Sequence, residues 1–191
     1  MRGVTAREQH FDDLFETNAD PWGYASLWDE QRRHALMLTM LDSPRYRRTF
    51  EPGCASGVFT ARLAERSDEL VAWDGSQNAV ELARQRVAAH PNVEVVKGSV
   101  PDAWPDSNFD LIVLSDFLYY LSSEAIGHVA SLVSQSLDSG GLLMTCHWRG
   151  VAHDFSTAGG DEVHRVLRSL FGEPTAFAYC DSRQLIEGWK V

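Results

Sequence analysis

What most constrains this chain is an alternation. Five segments read as strands: "RRTFEP" (47–52), "LVAWDG" (70–75), "VEVVKG" (93–98), "FDLIVLSD" (109–116) and "GLLMTCHW" (141–148). Four of them are short and rich in Val, Ile or Leu, as expected of strands buried on both faces of a parallel sheet. Helix-length segments lie between. "GVFTARLAER" follows Ser56, an expected cap. "SQNAVELARQRVAAH" has Val80, Ala83 and Val87 on one stripe and ends at a His-Pro stop. "SSEAIGHVASLVSQSL" puts Ile126, Val129, Val133 and Leu137 on one stripe, with Gly140-Gly141 as its expected terminator.

Strands that alternate with helices in this way predict an α/β fold, a Rossmann-like open sheet with right-handed crossovers and helices on both faces. The end of the chain breaks the pattern. "TAFAYCDSRQLIEGWKV" reads as two strands joined by a tight Asp-Ser turn, an antiparallel C-terminal hairpin on a mostly parallel sheet. Residues 5–41 read as helical, interrupted at "NADPWGY". With 191 residues the expectation is one domain, 1–191, made of an N-terminal helical lid (1–41) and an α/β core (42–191).

Composition narrows the function. The net charge is −10, from 17 basic and 27 acidic residues. That sign argues against a nucleic-acid partner, which is bound largely through basic contacts to phosphate, but leaves room for a cationic substrate. Cys54, Cys146 and Cys180 are far apart without CxxC spacing, which suggests neither a disulfide framework nor a metal site. No apolar run approaches the roughly 20 residues of a membrane span. The opening "MRGVTAREQHFDDLF" lacks an apolar signal core, so no membrane role and a cytoplasmic location are expected.

The stretch "FEPGCASGVF" (50–59) falls between the first strand and the first helix of the core. In an open α/β sheet, ligands bind at the carboxyl ends of strands. Gly53 and Gly57 there let the main chain approach a ligand or adopt positive φ. A nicotinamide fingerprint would place a glycine where Ala55 stands, so the turn favours a nucleoside without a pyrophosphate. Asp74 ends the second strand, where a carboxylate accepts both ribose hydroxyls; the alternatives are a solvated loop aspartate or a helix cap, for which Ser76 is better suited. "KGSVPDAW" then lies beside the adenine, with Trp104 either near it or in the core. Ser115 and Asp116 face the remaining end of the ligand.

At this point the sequence resembles the class I S-adenosylmethionine-dependent methyltransferases. "FEPGCASG" is similar to their first motif, "VAWDGS" to the ribose-binding acidic motif, "FDLIVLSDFLYYL" to the post-second motif and "LDSGGLLM" to the one before the fifth strand. The resemblance implies S-adenosylmethionine as cofactor and S-adenosylhomocysteine as product. It implies that Glu51, Gly53, Cys54, Ala55, Gly57, Asp74, Gly75, Ser99, Val100 and Ser115 hold the cofactor. Ser99 stands where such proteins often carry an acidic residue; its hydroxyl offers no charge, so adenine contacts are expected to rest on the Val100 backbone. "DPW" (20–22), "EQRRH" (30–34), "LYYL" (118–121) and Gly159-Gly160-Asp161 resemble the narrower NodS-like branch, the nodulation-factor N-methyltransferases. That branch implies methylation of an amine on a deacetylated amino sugar.

Methyl transfer from a sulfonium is an in-line displacement, in which the protein supplies binding and alignment and a protonated amine must lose a proton. Asp116 is a candidate base or orienter, or else binds cofactor or local backbone. His147 is a candidate base, or else a structural histidine. Tyr119 and Tyr120 stack on a sugar or the sulfonium, or belong to the core. In the N-terminal segment His10, Phe11, Leu14 and Phe15 form an apolar stripe. Trp22 is expected over the cofactor. Arg33 is expected on the methionine carboxylate, or else in an ion pair with Glu30 or Asp29. Trp148, Arg149 and His153 are expected to line the acceptor pocket. The alternatives are an O-methyltransferase, a catalytically silent cofactor-binding subunit, and a nicotinamide reductase, which the glycine spacing weakens. The expected partner is a small-molecule acceptor, and the expected state a monomer or homodimer.

Overall fold

The computed structural model describes residues 5–150 and 159–191. Two helices, α1 (Ala6–Thr17) and α2 (Trp28–Met40), precede a seven-stranded sheet. Its strands are β1 (Tyr46–Pro52), β2 (Ser67–Asp74), β3 (Val93–Lys97), β4 (Phe109–Ser115), β5 (Leu137–Trp148), β6 (Phe177–Cys180) and β7 (Gln184–Lys190). Between them run α3 (Val58–Leu63), α4 (Gln77–Arg86), α5 (Ser123–Ser136) and α6 (Gly160–Phe171).

The spatial order is β3-β2-β1-β4-β5-β7-β6. The five strands from β3 to β5 are parallel, while β7 is antiparallel to both β5 and β6. The chain winds from β1 outward to β3, then returns to lay β4 on the other side of β1. The switch point of the sheet is therefore the gap between the tips of β1 and β4, where such sheets bind ligands. The open, mostly parallel sheet with its C-terminal hairpin is as the sequence predicts.

Strand residues point alternately to two cores. Ile112, Leu114 and Leu143 meet Ile126, Val129 and Val133 of α5 and Val163 and Leu167 of α6. Leu111, Val113, Leu142 and Met144 meet Met37 of α2 and Phe59 and Leu63 of α3 on the opposite face. Val80 and Ala83 of α4 cover Ala72 and Val95 beside them.

Local chemistry sets the element ends. Thr5 and Glu8 form a reciprocal capping box at α1, with Glu8 N 3.2 Å from Thr5 Oγ1 and Thr5 N 2.8 Å from Glu8 Oε2. Ser76 and Ser122 cap α4 and α5 through their hydroxyls. The turn between β6 and β7 is built by Asp181, whose Oδ1 accepts from the backbone of Arg183 and Gln184.

Three expectations change. Ser56 does not cap α3: the capping position is Gly57, in the left-handed region at φ 76°, and the Ser56 hydroxyl is buried without a partner. Gly140-Gly141 does not terminate α5. That helix ends at Ser136, and Leu137 already pairs with Phe109 in β5. The extra residues form a register shift closed by Val191, which accepts from Gly140 N and donates to Gly141 O. Residues 160–171, to which the sequence reading assigns no helix, form α6.

A polar network runs through the buried face between β5, α6 and β7. His147 Nδ1 lies 3.1 Å from His164 Nε2, and His164 Nδ1 lies 2.6 Å from Glu187 Oε2. Arg168 donates to Glu187 Oε1. An ionised Glu187 only accepts, so His164 donates to it. With His164 neutral, its Nε2 then accepts from His147, and His147 Nε2 is left as a buried acceptor without a partner. Burial foremost, with smaller electrostatic contributions from His164 and Arg33, pushes the His147 pKa well below its ordinary value. Burial, with Arg33 and Arg62 nearby, lowers His34 to about 3.

Two predictions follow from this packing. A Cβ on Gly57 would meet Ala83 Cα at 2.9 Å, on a backbone that disfavours side chains. Gly57→Ala is therefore expected to destabilise the fold by about 2–4 kcal/mol, read by urea unfolding. The second concerns acid. The folded state refuses protons at His34 that the unfolded chain takes below about pH 6.5. Its contribution to stability is lost as pH falls through that value toward the folded pKa. His34→Phe is expected to flatten the stability curve between pH 6 and 4 by about 1.4 kcal/mol per pH unit relative to wild type. Superimposable curves would refute this.

Candidate functional site

Around the switch point the main chain is held tightly. Gly53 N and Cys54 N both donate to Trp73 O, joining the turn after β1 to the end of β2. The Asp74 carboxylate completes the junction: Oδ2 accepts from Ala55 N and Oδ1 from Ser76 N, each at 2.9 Å. Burial raises the Asp74 pKa, and those two backbone donors oppose the rise. Gly53 lies under Phe117, where a Cβ would come within 3.1 Å of the ring. Ala55 and Asp116, at the tips of β1 and β4, both hold left-handed backbone, at φ 50° and 51°. Such strained positions concentrate at functional sites.

One pocket opens over these tips. Trp22, Gly53, Ala55, Asp74, Gly75, Ser99, Val100, Ser115, Asp116 and Tyr120, all singled out in the sequence, line it together. Glu51, Cys54 and Arg33 line a smaller cavity that shares Gly53, Ala55, Ser115 and Asp116 with the first. Glu51 is buried and its Oε2 has no partner; burial foremost pushes its pKa up to about 8, and Asp74 adds to the rise. Arg33 donates from Nε to Glu30 at 2.9 Å, pairs with Asp116 and lies 5.3 Å from the Tyr24 ring centroid. Asp116 also accepts from Trp148 N at 2.8 Å, so both its oxygens are engaged.

Other expected residues stand apart. Gly57 lines neither cavity. His147 is fully buried and lines neither, and Tyr119 is buried between the Tyr120 and His147 rings. Trp104 packs on Phe50 in the core and donates to Ser136 Oγ. Trp148 is 41% exposed. Arg149 pairs with Asp161 and donates to Asp181 O. His153 lies outside the described residues. No group of three or more His, Cys, Asp or Glu among the described residues is placed to hold a metal ion.

The sequence reading missed how α1 engages the site. Arg7 Nη1 donates to Tyr120 O, Asp12 Oδ1 accepts from Ser76 Oγ at 2.6 Å, and Ser99 Oγ donates to Glu8 Oε1 at 2.5 Å. Three loops above the sheet are thus tied to one helix. Phe11, Phe15 and Trp22 close the pocket over them, with Phe11 edge-on to Tyr120 at 5.1 Å. The apolar stripe was legible; the charged residues between its members were not, because nothing in the local pattern says which loop they meet. The Thr5-x-x-Glu8 spacing was the available signal for Glu8.

Comparison with known proteins agrees with this geometry. Nodulation protein S of Sinorhizobium fredii is 33% identical over 127 residues, 65% of this chain and 59% of that protein. The cypemycin N-terminal methyltransferase of a Streptomyces species is 30% identical over 152 residues, 78% of this chain and 57% of that protein. The chain thus spans less than two thirds of the length of these curated relatives. The crystal structure of the N-methyltransferase NodS from Bradyrhizobium japonicum WM9 with S-adenosylhomocysteine superposes with a TM-score of 0.82 at 24% identity, covering 97% of this chain and 98% of that one, a likeness of fold. A crystal structure from Pseudomonas syringae, 38% identical, covers 86% of this chain and all of that one with a TM-score of 0.77. The family model for nodulation protein S matches residues 8–170, and the chain belongs to the NodS family.

Proposed function

We propose that this chain is an S-adenosylmethionine-dependent methyltransferase that methylates the amine of a small molecule, a deacetylated amino sugar being the substrate class. The observation that carries this is the convergence of four strand tips on one pocket, with Asp74 on its wall and the unpartnered Glu51 oxygen in the adjoining cavity. The residues fit the cofactor. Asp74 and Gly75 would hold the ribose, Ser99 and Val100 the adenine, and Glu51 with Gly53 the methionine ammonium, which supplies the donor that the buried oxygen lacks. The cofactor, when bound, supplies an electrophilic methyl group on a sulfonium.

The chain's own part is alignment. Oriented binding contributes about 7–11 kcal/mol to a displacement of this kind. Arg33 fixes Asp116 at the tip of β4, and the Glu30, Arg33 and Asp116 group carries one net negative charge, which attracts a cationic amine. The bonds on Asp116 and the burial of His147 leave proton removal to solvent before the amine reaches the methyl group. Phe11, Trp22 and Tyr120 exclude water once the amine is in place. This makes residues 1–41 a lid on a single domain. One relative is named as an N-terminal methyltransferase, and a chain N-terminus is an amine, which favours nitrogen over oxygen as the acceptor. No helix among the described residues is long and apolar enough to cross a membrane. The unpaired Cys54, Cys146 and Cys180 fit a reducing compartment such as the cytoplasm, and the acidic charge disfavours a nucleic-acid partner; the state proposed is a monomer or homodimer.

Incubation with isotopically labelled cofactor and a panel of amines and alcohols is expected to give a methylated glucosamine-type amine, detected by mass spectrometry. Methylation confined to hydroxyls would overturn the choice of nitrogen, and cofactor binding without any product would point to a silent subunit. Glu51 supplies a second check. With its carboxyl raised to about 8, it is mostly protonated at pH 7 and ionises when an ammonium docks. Binding of S-adenosylhomocysteine is therefore expected to release on the order of one proton at pH 7, and affinity to rise between pH 6 and 8. Calorimetry in buffers of different ionisation enthalpy reads the release, which Glu51→Gln is expected to abolish.

A further inference from the structure

We infer that Glu8, from helix α1, reads the exocyclic amine of the cofactor's nucleobase and so sets its preference for adenine; this rests on the cofactor site proposed above. Four observations carry it. Glu8 lines the main pocket, beside Gly75, Ser99 and Val100. Its Oε1 accepts from Ser99 Oγ at 2.5 Å, so the carboxylate sits at the loop after β3, where the base of a nucleoside gripped at Asp74 must extend. A Cβ on Gly75 would come within 2.8 Å of Ser99 Oγ and 3.7 Å of Glu8 Cγ, which puts the tips of β2 and β3 and this side chain around one small volume. The capping box fixes its orientation, because Oε2 takes both Thr5 N and Thr5 Oγ1.

The chemistry then selects the ligand. A carboxylate accepts several hydrogen bonds and donates none. Adenine turns an amino group toward it, and the bond is charge-assisted. Hypoxanthine turns a carbonyl oxygen toward the same place, where two acceptors repel. Ser99 by itself would accept or donate and would not discriminate. The discriminating charge therefore comes from a different part of the chain than the loop that cradles the base.

The test is calorimetric titration with S-adenosylhomocysteine and with its deaminated analogue, S-inosylhomocysteine. Wild-type protein is expected to favour the adenosyl compound at least tenfold, about 1.4 kcal/mol. Glu8→Gln keeps the capping box and offers a donor to the carbonyl, and is expected to bring the ratio to within about threefold. Glu8→Ala is expected to weaken the adenosyl compound and to strengthen the inosyl compound, because the repulsion of the two acceptors goes with the carboxylate. If Glu8→Ala weakens both compounds equally, or Glu8→Gln leaves the ratio as in wild type, the carboxylate only anchors α1 and the inference falls. If wild-type protein binds neither compound, the cofactor reading falls and takes this inference with it.

Discussion

The junction between the tips of β1 and β2 governs everything above it. Parallel strands leave the backbone groups of their exit loops without ladder partners, and burying such groups unpaired is costly. Here Trp73 O takes two N–H groups from the turn after β1, and Asp74 takes one from that turn and one from the start of α4. A single carboxylate thus closes two turns at once while remaining on the pocket wall. Ala55 can be held at φ 50° because these bonds over-determine its position. Gly57 is needed for a different reason: α3 must start with left-handed backbone pressed against Ala83 of α4. Remove either condition and the pocket loses its floor.

Above that floor the pocket is acidic and partly closed by residues distant in sequence. Glu8, Asp12 and Arg7 occupy one and a half turns of α1 and contact three separate loops. These bonds are part-buried and each involves a charged group, so each contributes about 1.5–3 kcal/mol net. Their effect is also geometric: they set the helix so that Phe11 and Phe15 face the cavity. The same logic runs through α2, where Arg33 is buried between Glu30 and Asp116. Removing one partner of such a group leaves an uncompensated charge, so the cluster specifies position more than it adds stability.

The sheet was legible because each of its strands is defined by local pattern. β-rich runs flanked by turn residues gave the five parallel strands, and the Asp-Ser turn gave the hairpin that Asp181 in fact closes. The place of Asp74 on the pocket wall was legible too, from its position at the tip of β2; its bonds to Ala55 N and Ser76 N were not. What escaped depended on contacts across the chain. Ser56 looks like a cap, but Gly57 supplies a conformation that serine resists. Gly140-Gly141 looks like a stop, but its partner is Val191 at the far end of the chain. The role of Glu8 rests on a bond to Ser99, 91 positions away.

The placement of His147 shows why a histidine at a strand end need not be a catalyst. Along β5, Cys146 faces the α2–α3 side and His147 the α5–α6 side, under the turn that carries Tyr119. There Glu187 orients His164, and His164 orients His147, so the tautomer is set from the protein's outer edge inward. An orienting chain of this form would serve a base if the last nitrogen met the acceptor. Here the ring lies outside both cavities, and desolvation disfavours its charged form. A group that resists protonation is a poor proton sink. The network instead ties α6 to β5 and β7 through buried polar bonds, with His147 Nε2 left without a partner. This supports the register of the antiparallel strands beside the site.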